Sequence, residues 1–84
     1  MFFRSIAPNL DFSLPNLETL ILTNNNIEDL TEIDNLSSVK TLKCLCMIRN
    51  PLAALKYYRL YTIYRIPSLK ILDFKKVKDK VIFN

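Results

Sequence analysis

Glycine and histidine are both absent from this 84-residue sequence. Phosphate-binding loops of the P-loop and dinucleotide-binding types need glycine for close backbone approach, so both types are excluded. The absence of histidine removes Ser-His-Asp triads, the usual zinc-enzyme ligand sets and the commonest general acid or base near neutral pH. These absences argue against the commonest kinds of catalytic site and against a bound nucleotide cofactor.

Cysteine and long apolar runs are scarce. Cys44 and Cys46 are the only cysteines, too few for a disulfide framework or a four-ligand zinc site. Without a histidine base, neither is a good candidate for a catalytic nucleophile. No uncharged apolar run reaches the roughly 18 residues of a membrane-spanning helix, and the first residues lack the apolar core of a signal peptide. We expect reduced thiols in a cytosolic or nuclear protein.

Charge is divided unevenly along the chain. Residues 1–36 hold one base and six acids, whereas residues 37–84 hold eleven bases and two acids, so the halves carry −5 and +9 and sum to +4. This division favours a basic face that meets an acidic partner or a phosphate backbone. A solvated surface without a partner is the alternative.

A repeat of the form L-x-x-L-x-L-x-x-N-x-L organises the sequence. The first copy begins at Leu17 and the second at Leu42, with Met47 in place of one leucine. The strand part returns from Leu69, where Val77 stands in place of the asparagine. The successive starts lie 25 and 27 residues apart (42 − 17 and 69 − 42), within the range of about 20–29 residues typical of leucine-rich repeats.

Each copy predicts a short strand followed by a turn. Side chains alternate across a strand, so Leu20 and Leu22 point into the core while Ile21 points outward. Asn25 and Asn50 follow where the chain must turn, and their amides can bond backbone groups that would otherwise be buried without a partner.

The convex side is predicted to consist of short helical or 3₁₀ turns. Ile27, Leu30, Ile33 and Leu36 recur every three residues, which matches the three-residue turn of a 3₁₀ helix.

An amphipathic helix is predicted over residues 53–66, covering the open end of the repeats. Tyr57, Leu60, Tyr61 and Tyr64 share one helical face and are interpreted as core. A base-stacking platform is the alternative for the same tyrosines.

These patterns predict a single partial α/β leucine-rich-repeat solenoid, with parallel strands on its concave face and a helix at its C-terminal end. Its predicted segments are an upstream remnant at 5–16, a repeat at 17–41, a repeat strand and turn at 42–52, a capping helix at 53–66, a final strand at 67–78 and a tail at 79–84.

The sequence also resembles the A-prime family of the U2 small nuclear ribonucleoprotein. The similar segments are SIAPNLDFSLPNLETL, ILTNNNIEDL, IRNPL and KYYRLYTIYRIPSLKILDFKKVK. The resemblance implies a nuclear binding protein that is not an enzyme and holds no cofactor. Its repeats would hold the RNA-recognition-motif domain of a B-double-prime partner. Together they would bind a stem-loop of U2 small nuclear RNA during pre-mRNA splicing.

The outward strand positions of the matching repeats are the candidate partner interface. They are Thr19, Ile21, Thr23, Cys44, Cys46, Ile48, Ile71, Asp73 and Lys75. Ile21, Ile48 and Ile71 are expected to form an apolar row that a lone monomer has little reason to expose. Cover by another segment is the alternative.

Five basic residues in the second half of the chain are candidates for contact with RNA phosphates. They are Arg49, Lys75, Lys76, Lys78 and Lys80. Lys76, Lys78 and Lys80 would line one side if this end is extended. The alternative is a solvated chain end.

Both ends depart from the family pattern. MFFRS stands where the strand of a preceding coil would be, with Ile6, Leu10 and Phe12 as the convex remainder of that coil, and the last residues stop short of the family's charged helical extension. The sequence thus resembles a shortened member, and we expect marginal stability because the strand at Leu20–Leu22 becomes an open edge.

Two alternative functions stay open. The protein could be another capped leucine-rich-repeat adaptor, of the phosphatase-regulator or ciliary type, or it could be a non-functional fragment.

Overall fold

Four short strands form one sheet in a computed structural model that describes residues 3–78. They are β1 (Thr19–Ile21), β2 (Cys44–Cys46), β3 (Ile71–Leu72) and β4 (Lys75–Lys76), in that spatial order. The first three strands run parallel, and β4 pairs antiparallel with β3. Three parallel strands at one-repeat intervals confirm the predicted solenoid.

Short helices make the return path between the strands. They are α1 (Leu10–Ser13), a first 3₁₀ helix (Leu30–Leu36), a second 3₁₀ helix (Pro51–Ala54) and α2 (Tyr58–Arg65). The first 3₁₀ helix buries Ile33 and Leu36, which confirms the prediction from the three-residue spacing.

The core lies between the sheet and these helices. Its fully buried side chains include Leu45 and Met47 from β2 and its end, together with Leu72 of β3. Leu20 and Leu22 pack against the same core but are only partly buried, because β1 is the edge strand of the sheet. The inward direction predicted for the strand leucines is confirmed.

Asn25 and Asn50 hold the turns that follow β1 and β2. Asn50 is 4% exposed. Its Nδ2 donates to the carbonyls of Leu22 at 2.7 Å and Met47 at 2.9 Å. Its Oδ1 accepts from the amide of Ile27 at 3.2 Å. Asn25 donates to the carbonyl of Leu22 at 2.9 Å. The predicted bonds from these amides to backbone groups are thus present, and those of Asn50 join successive coils.

Helix α2 packs through a different face from the predicted one. Tyr58 and Thr62 are buried, whereas Tyr57, Leu60 and Tyr64 are exposed by 53%, 39% and 53%. The core interpretation of that tyrosine stripe was wrong for these three residues. Buried hydroxyls explain the difference, since Tyr58 donates to Asp73 at 2.8 Å and Thr62 to the carbonyl of Tyr58 at 2.7 Å. Because their hydrogen bonds are made within the fold, these polar side chains can occupy the buried face of the helix, which a hydropathy pattern assigns to solvent.

The helix is also shorter than the predicted span of residues 53–66. Leu55 adopts an extended conformation (φ −72°, ψ 146°) after the second 3₁₀ helix, so the α-helix begins only at Tyr58.

The last predicted strand, over residues 67–78, folds instead as a hairpin. Asp73 and Phe74 both have positive φ, 52° and 66°, and they reverse the chain between β3 and β4. Two central residues with positive φ are the mark of a type I′ hairpin turn. Phe74, which the repeat pattern placed inside, is 74% exposed.

The first described residues lie across the end of the first repeat without forming a strand. The carbonyl of Phe3 accepts from the amide of Asn26 at 2.7 Å, and the amide of Ile6 donates to Glu32 at 2.8 Å. Ile6 is buried, whereas Phe12, expected on the convex side of a coil, is 89% exposed.

Candidate partner-binding site

The outer face of the parallel sheet presents most of the predicted interface. Thr19, Ile21 and Thr23 are exposed on and just after β1, and Ile21 leaves 57% of its surface accessible. Cys44 and Ile48 are half-buried in the neighbouring repeat. The hydrogen bonds of Asn50 hold this face in place, because they tie the end of β1 to the end of β2.

Cys46 does not belong to the accessible face, contrary to the prediction. Its side chain is 1% exposed, although the alternation of the strand directs it away from Leu45. Tyr58 of α2 is likewise buried, and it is bonded to Asp73. Alternation fixes the side to which a residue points, but not what covers that side.

The strand pairing does not place Ile21, Ile48 and Ile71 in the predicted row. Cys44 is paired with Thr19 on one side and with Ile71 on the other, whereas Ile21 is paired with Cys46. The prediction was wrong because the three isoleucines stand at different positions of the repeat, so they do not lie side by side on neighbouring strands. The accessible face is therefore mixed, with threonine hydroxyls beside single apolar side chains.

Asp73 is a structural residue rather than a free interface residue. One carboxylate oxygen accepts from the amide of Met47 at 2.7 Å, and the other accepts from the hydroxyl of Tyr58 at 2.8 Å. Burial, followed by the hydrogen bond to Asp73, raises the pKa of Tyr58 far above its ordinary value of 10.0. The carboxylate thus joins β2, the hairpin turn and α2.

Lys75 lies on the other side of the sheet from its predicted position. Directly paired residues of an antiparallel ladder share a face, and the pairs here are Leu72 with Lys75 and Ile71 with Lys76. Lys76 therefore shares the outer face with Ile71, whereas Lys75 is on the side of the buried Leu72. A continuous parallel strand would place Lys75 on the outer face, but the hairpin turn before it places Lys75 on the opposite face.

The candidate phosphate-binding residues lie on two separate elements. Arg49 is exposed in the turn after β2, where it lines a shallow depression with Asn24 and Pro51. Lys75, Lys76 and Lys78 are exposed on the hairpin and just after it. Lys80 lies outside the described residues.

Arg59 has a role that the sequence pattern did not reveal. From α2 its guanidinium donates to the carbonyls of Leu72 at 3.0 Å, Lys76 at 3.2 Å and Lys75 at 3.4 Å. These bonds hold both strands of the hairpin to the helix. Nothing in the sequence distinguishes Arg59 in this respect from Arg65, the other arginine of α2.

A second polar cluster ties α2 to the first 3₁₀ helix. Asp34 accepts from the hydroxyl of Tyr61 and from Nε of Arg65, the latter at 2.7 Å. The hydrogen bond from Tyr61, with further help from Arg65, lowers the pKa of Asp34, while the bond to Asp34 raises the pKa of Tyr61. The cluster is half-exposed, so it orients the helix but does not form an enclosed site.

Residues 3–78 contain neither a metal-binding cluster nor a membrane-spanning helix. No group of three or more histidine, cysteine, aspartate or glutamate side chains among them is placed to hold a metal ion. None of the helices in this part of the chain is long and apolar enough to cross a membrane.

Comparison with protein families matches residues 3–82 to the model described as "Leucine-rich repeat". Among curated proteins, human U2 small nuclear ribonucleoprotein A′ is 49% identical over 75 residues. That match covers 89% of this chain and 29% of the relative. The chain thus spans less than a third of the length of this relative.

Solved structures show the same likeness. A chain from the crystal structure of the Drosophila melanogaster SNF/U2A′ complex matches with a TM-score of 0.90 and 34% identity, covering 94% of this chain and 45% of that one. The Mex67 leucine-rich-repeat domain from Chaetomium thermophilum matches with a TM-score of 0.76 and 32% identity, covering 83% of this chain and 47% of that one.

Proposed function

The chain belongs to the leucine-rich-repeat family and is similar to U2 small nuclear ribonucleoprotein A′ proteins, and from this we propose that it is a non-enzymatic scaffold of the U2 particle. Its outer sheet face holds an RNA-recognition-motif protein of the B-double-prime type. The pair binds a stem-loop of U2 small nuclear RNA in pre-mRNA splicing, in the nucleus.

One observation carries the proposal. The chain superimposes on a chain from the SNF/U2A′ complex with a TM-score of 0.90, while its own sheet leaves Ile21 and Ile71 exposed by 57% and 38%. Exposed apolar side chains with polar groups beside them suit a protein interface. Thr19 and Thr23 supply those polar groups beside Ile21.

The proposed interface consists of the accessible residues of the outer sheet face, which differ in part from the nine predicted from the sequence. The accessible residues are Thr19, Ile21, Thr23, Cys44, Ile48, Ile71 and Lys76. Cys46 and Asp73 are left out of the interface, because the first is buried and the second is bonded to Met47 and Tyr58. Substituting either one tests the fold rather than the contact.

RNA phosphates are contacted by Lys76 and its neighbours on the hairpin. Lys75, Lys76 and Lys78 are all exposed, and lysines bind phosphates as point charges without reading the sequence. Replacing one of these lysines with an uncharged residue should lower the salt dependence of RNA binding by a slope of about 0.7–0.9. Arg49, in the turn after β2, is a separate candidate of the same kind.

Co-expression with a B-double-prime-type RNA-recognition domain tests the proposal. We expect the two chains to co-purify in equal amounts. If they do not, the upstream repeats of a longer relative are added to this chain and the experiment is repeated. Recovery of binding would support the partner and place part of its surface upstream, whereas failure of both forms contradicts the proposed partner.

A further inference from the structure

The hairpin turn carries an aromatic residue where the backbone favours glycine. Phe74 has a φ of 66° as the second central residue of the two-residue turn, a position for which glycine is strongly preferred. Positive φ is uncommon for residues other than glycine, asparagine and aspartate, and for a bulky side chain it is an outlier. A phenylalanine here therefore strains the turn.

Packing within the fold does not compensate for this strain. Asp73, the other residue of the turn, is held by its bonds to Met47 and Tyr58. The Phe74 ring, by contrast, is 74% exposed. Because strained residues concentrate where binding needs them, an exposed ring held in an unfavourable conformation points to a role outside the fold.

The turn is held rigidly, which suits a binding platform. Arg59 donates to carbonyls on both strands of the hairpin, and the amide of Val77 donates to the carbonyl of Lys70 at 2.9 Å. A residue whose backbone is already held loses less conformational freedom when a flat ligand stacks on its side chain.

The charge around the ring selects an anionic partner. Lys75 and Lys76 follow Phe74 directly and point to opposite faces of the hairpin, and both are exposed. The carboxylate of Asp73, the other residue of the turn, is directed into the fold by its bonds to the Met47 amide and the Tyr58 hydroxyl. An aromatic face flanked by basic groups is the arrangement used to bind single-stranded nucleic acid.

We propose that Phe74 is a stacking platform for an unpaired RNA base, with Lys75 and Lys76 contacting the phosphates on either side of that base. This inference rests on the proposed function and deepens it, because it adds a contact to unpaired RNA beyond the phosphate contacts alone. Stacking tolerates any base, so the contact senses whether a nucleotide is unpaired rather than which nucleotide it is.

The test compares Phe74→Gly, Phe74→Tyr and the matched control Phe12→Gly in the 84-residue chain. Fluorescence anisotropy measures binding to a labelled single-stranded oligoadenosine decamer and to a blunt GC-rich RNA duplex of the same length. Phe74→Gly should weaken binding to the single strand about five-fold or more, the loss expected for one stacked base. Phe74→Tyr should keep the wild-type affinity because the ring remains, and Phe12→Gly should keep it because Phe12 lies on α1. Duplex binding should be the same for all four proteins.

Three outcomes would overturn the inference. Equal, salt-sensitive binding of the single strand by wild type and Phe74→Gly would leave the lysine contacts of the proposed function intact and remove the stacking role. Loss of the RNA-recognition-motif partner in Phe74→Gly, with RNA affinity unchanged, would assign the ring to a protein contact. Absence of any RNA binding by the folded wild-type chain would remove the stacking role together with the phosphate contacts, while co-purification with the partner would still support the scaffold role.

Discussion

At the scale of single residues, polar side chains with several backbone partners determine the positions of the strands. Asn50 is buried and joins the carbonyls of Leu22 and Met47 to the amide of Ile27. Because buried amides and carbonyls are costly without partners, one asparagine fixes the distance between two coils. Asp73 performs a similar task for Met47 and Tyr58 at the other end of the sheet.

Replacing Asn50 with alanine should therefore be strongly destabilising. The change removes three hydrogen bonds and leaves the amide of Ile27 and the carbonyl of Met47 without this partner, at a cost of about 2–4 kcal/mol in the free energy of unfolding. Urea unfolding followed by circular dichroism measures this loss. Asn26→Ala is the matched control, because Asn26 is exposed and bonds Phe3 through its backbone. Equal stability of the two variants would contradict the role assigned to Asn50.

The roles of single residues could be predicted from the sequence where the repeat pattern determines them. The two turn asparagines and the inward leucines of the strands were predictable, because the same residue types recur at the same positions of the repeat. The burial of Cys46 was not, because alternation does not show what covers a side chain. The bonds of Asp73 were not, because they depend on the reversal of the chain at Asp73 and Phe74. No glycine or Asn-Gly pair marks that reversal in the sequence.

At the scale of secondary structure, α2 is oriented by polar contacts at both sides. Arg59 binds the hairpin, and Arg65 with Tyr61 binds Asp34 on the first 3₁₀ helix. The amphipathic pattern predicted a helix in this region, but its buried face carries hydroxyls that bond within the fold. For that reason hydropathy alone gave the wrong rotation of the helix.

The Asp34 cluster should make stability depend on acid pH. The folded pKa of Asp34 lies below its ordinary value of 3.8, so its stabilising contribution is complete above that value and is lost as the pH falls through the folded pKa. We expect Asp34→Asn to flatten the dependence of the unfolding free energy on pH below about 4. Urea titrations at several acid pH values measure the slope.

Two tyrosine variants control this prediction. Tyr61→Phe removes the hydrogen bond that contributes most to the lowered pKa of Asp34, so it should flatten the acid dependence in part. Tyr57→Phe changes an exposed tyrosine outside the cluster, and its profile should match that of the unmodified chain. An Asp34→Asn profile identical to the wild type would show that the cluster contributes nothing to acid stability.

At the scale of the whole molecule, the sheet has two different edges. At one edge β4 turns back along β3, and Arg59 binds the carbonyls of Lys75 and Lys76. At the other, β1 carries only partly buried leucines at positions 20 and 22. Repeat units bury their apolar faces against neighbours, so the β1 side is the less stable end of the sheet.

The 84-residue polypeptide alone is therefore expected to be marginally stable and to associate. An open strand edge with apolar side chains favours pairing between chains. Sedimentation velocity over a range of concentrations should detect species larger than the monomer, and thermal unfolding should be broad. A cooperative transition in a dilute, monomeric sample would overturn this prediction.

The most direct test of the scaffold role is a titration calorimetry measurement of an RNA-recognition domain of the B-double-prime type binding to two variants of this chain. Ile21→Asp places a charge on the exposed sheet face, and Phe12→Asp makes the same kind of change at an exposed aromatic on α1. We predict that Ile21→Asp weakens binding by about ten-fold or more, as expected for a residue central to an interface, and that Phe12→Asp retains the affinity of the unmodified chain. Equal affinities for the two variants would contradict the assignment of the outer sheet face as the partner-binding surface.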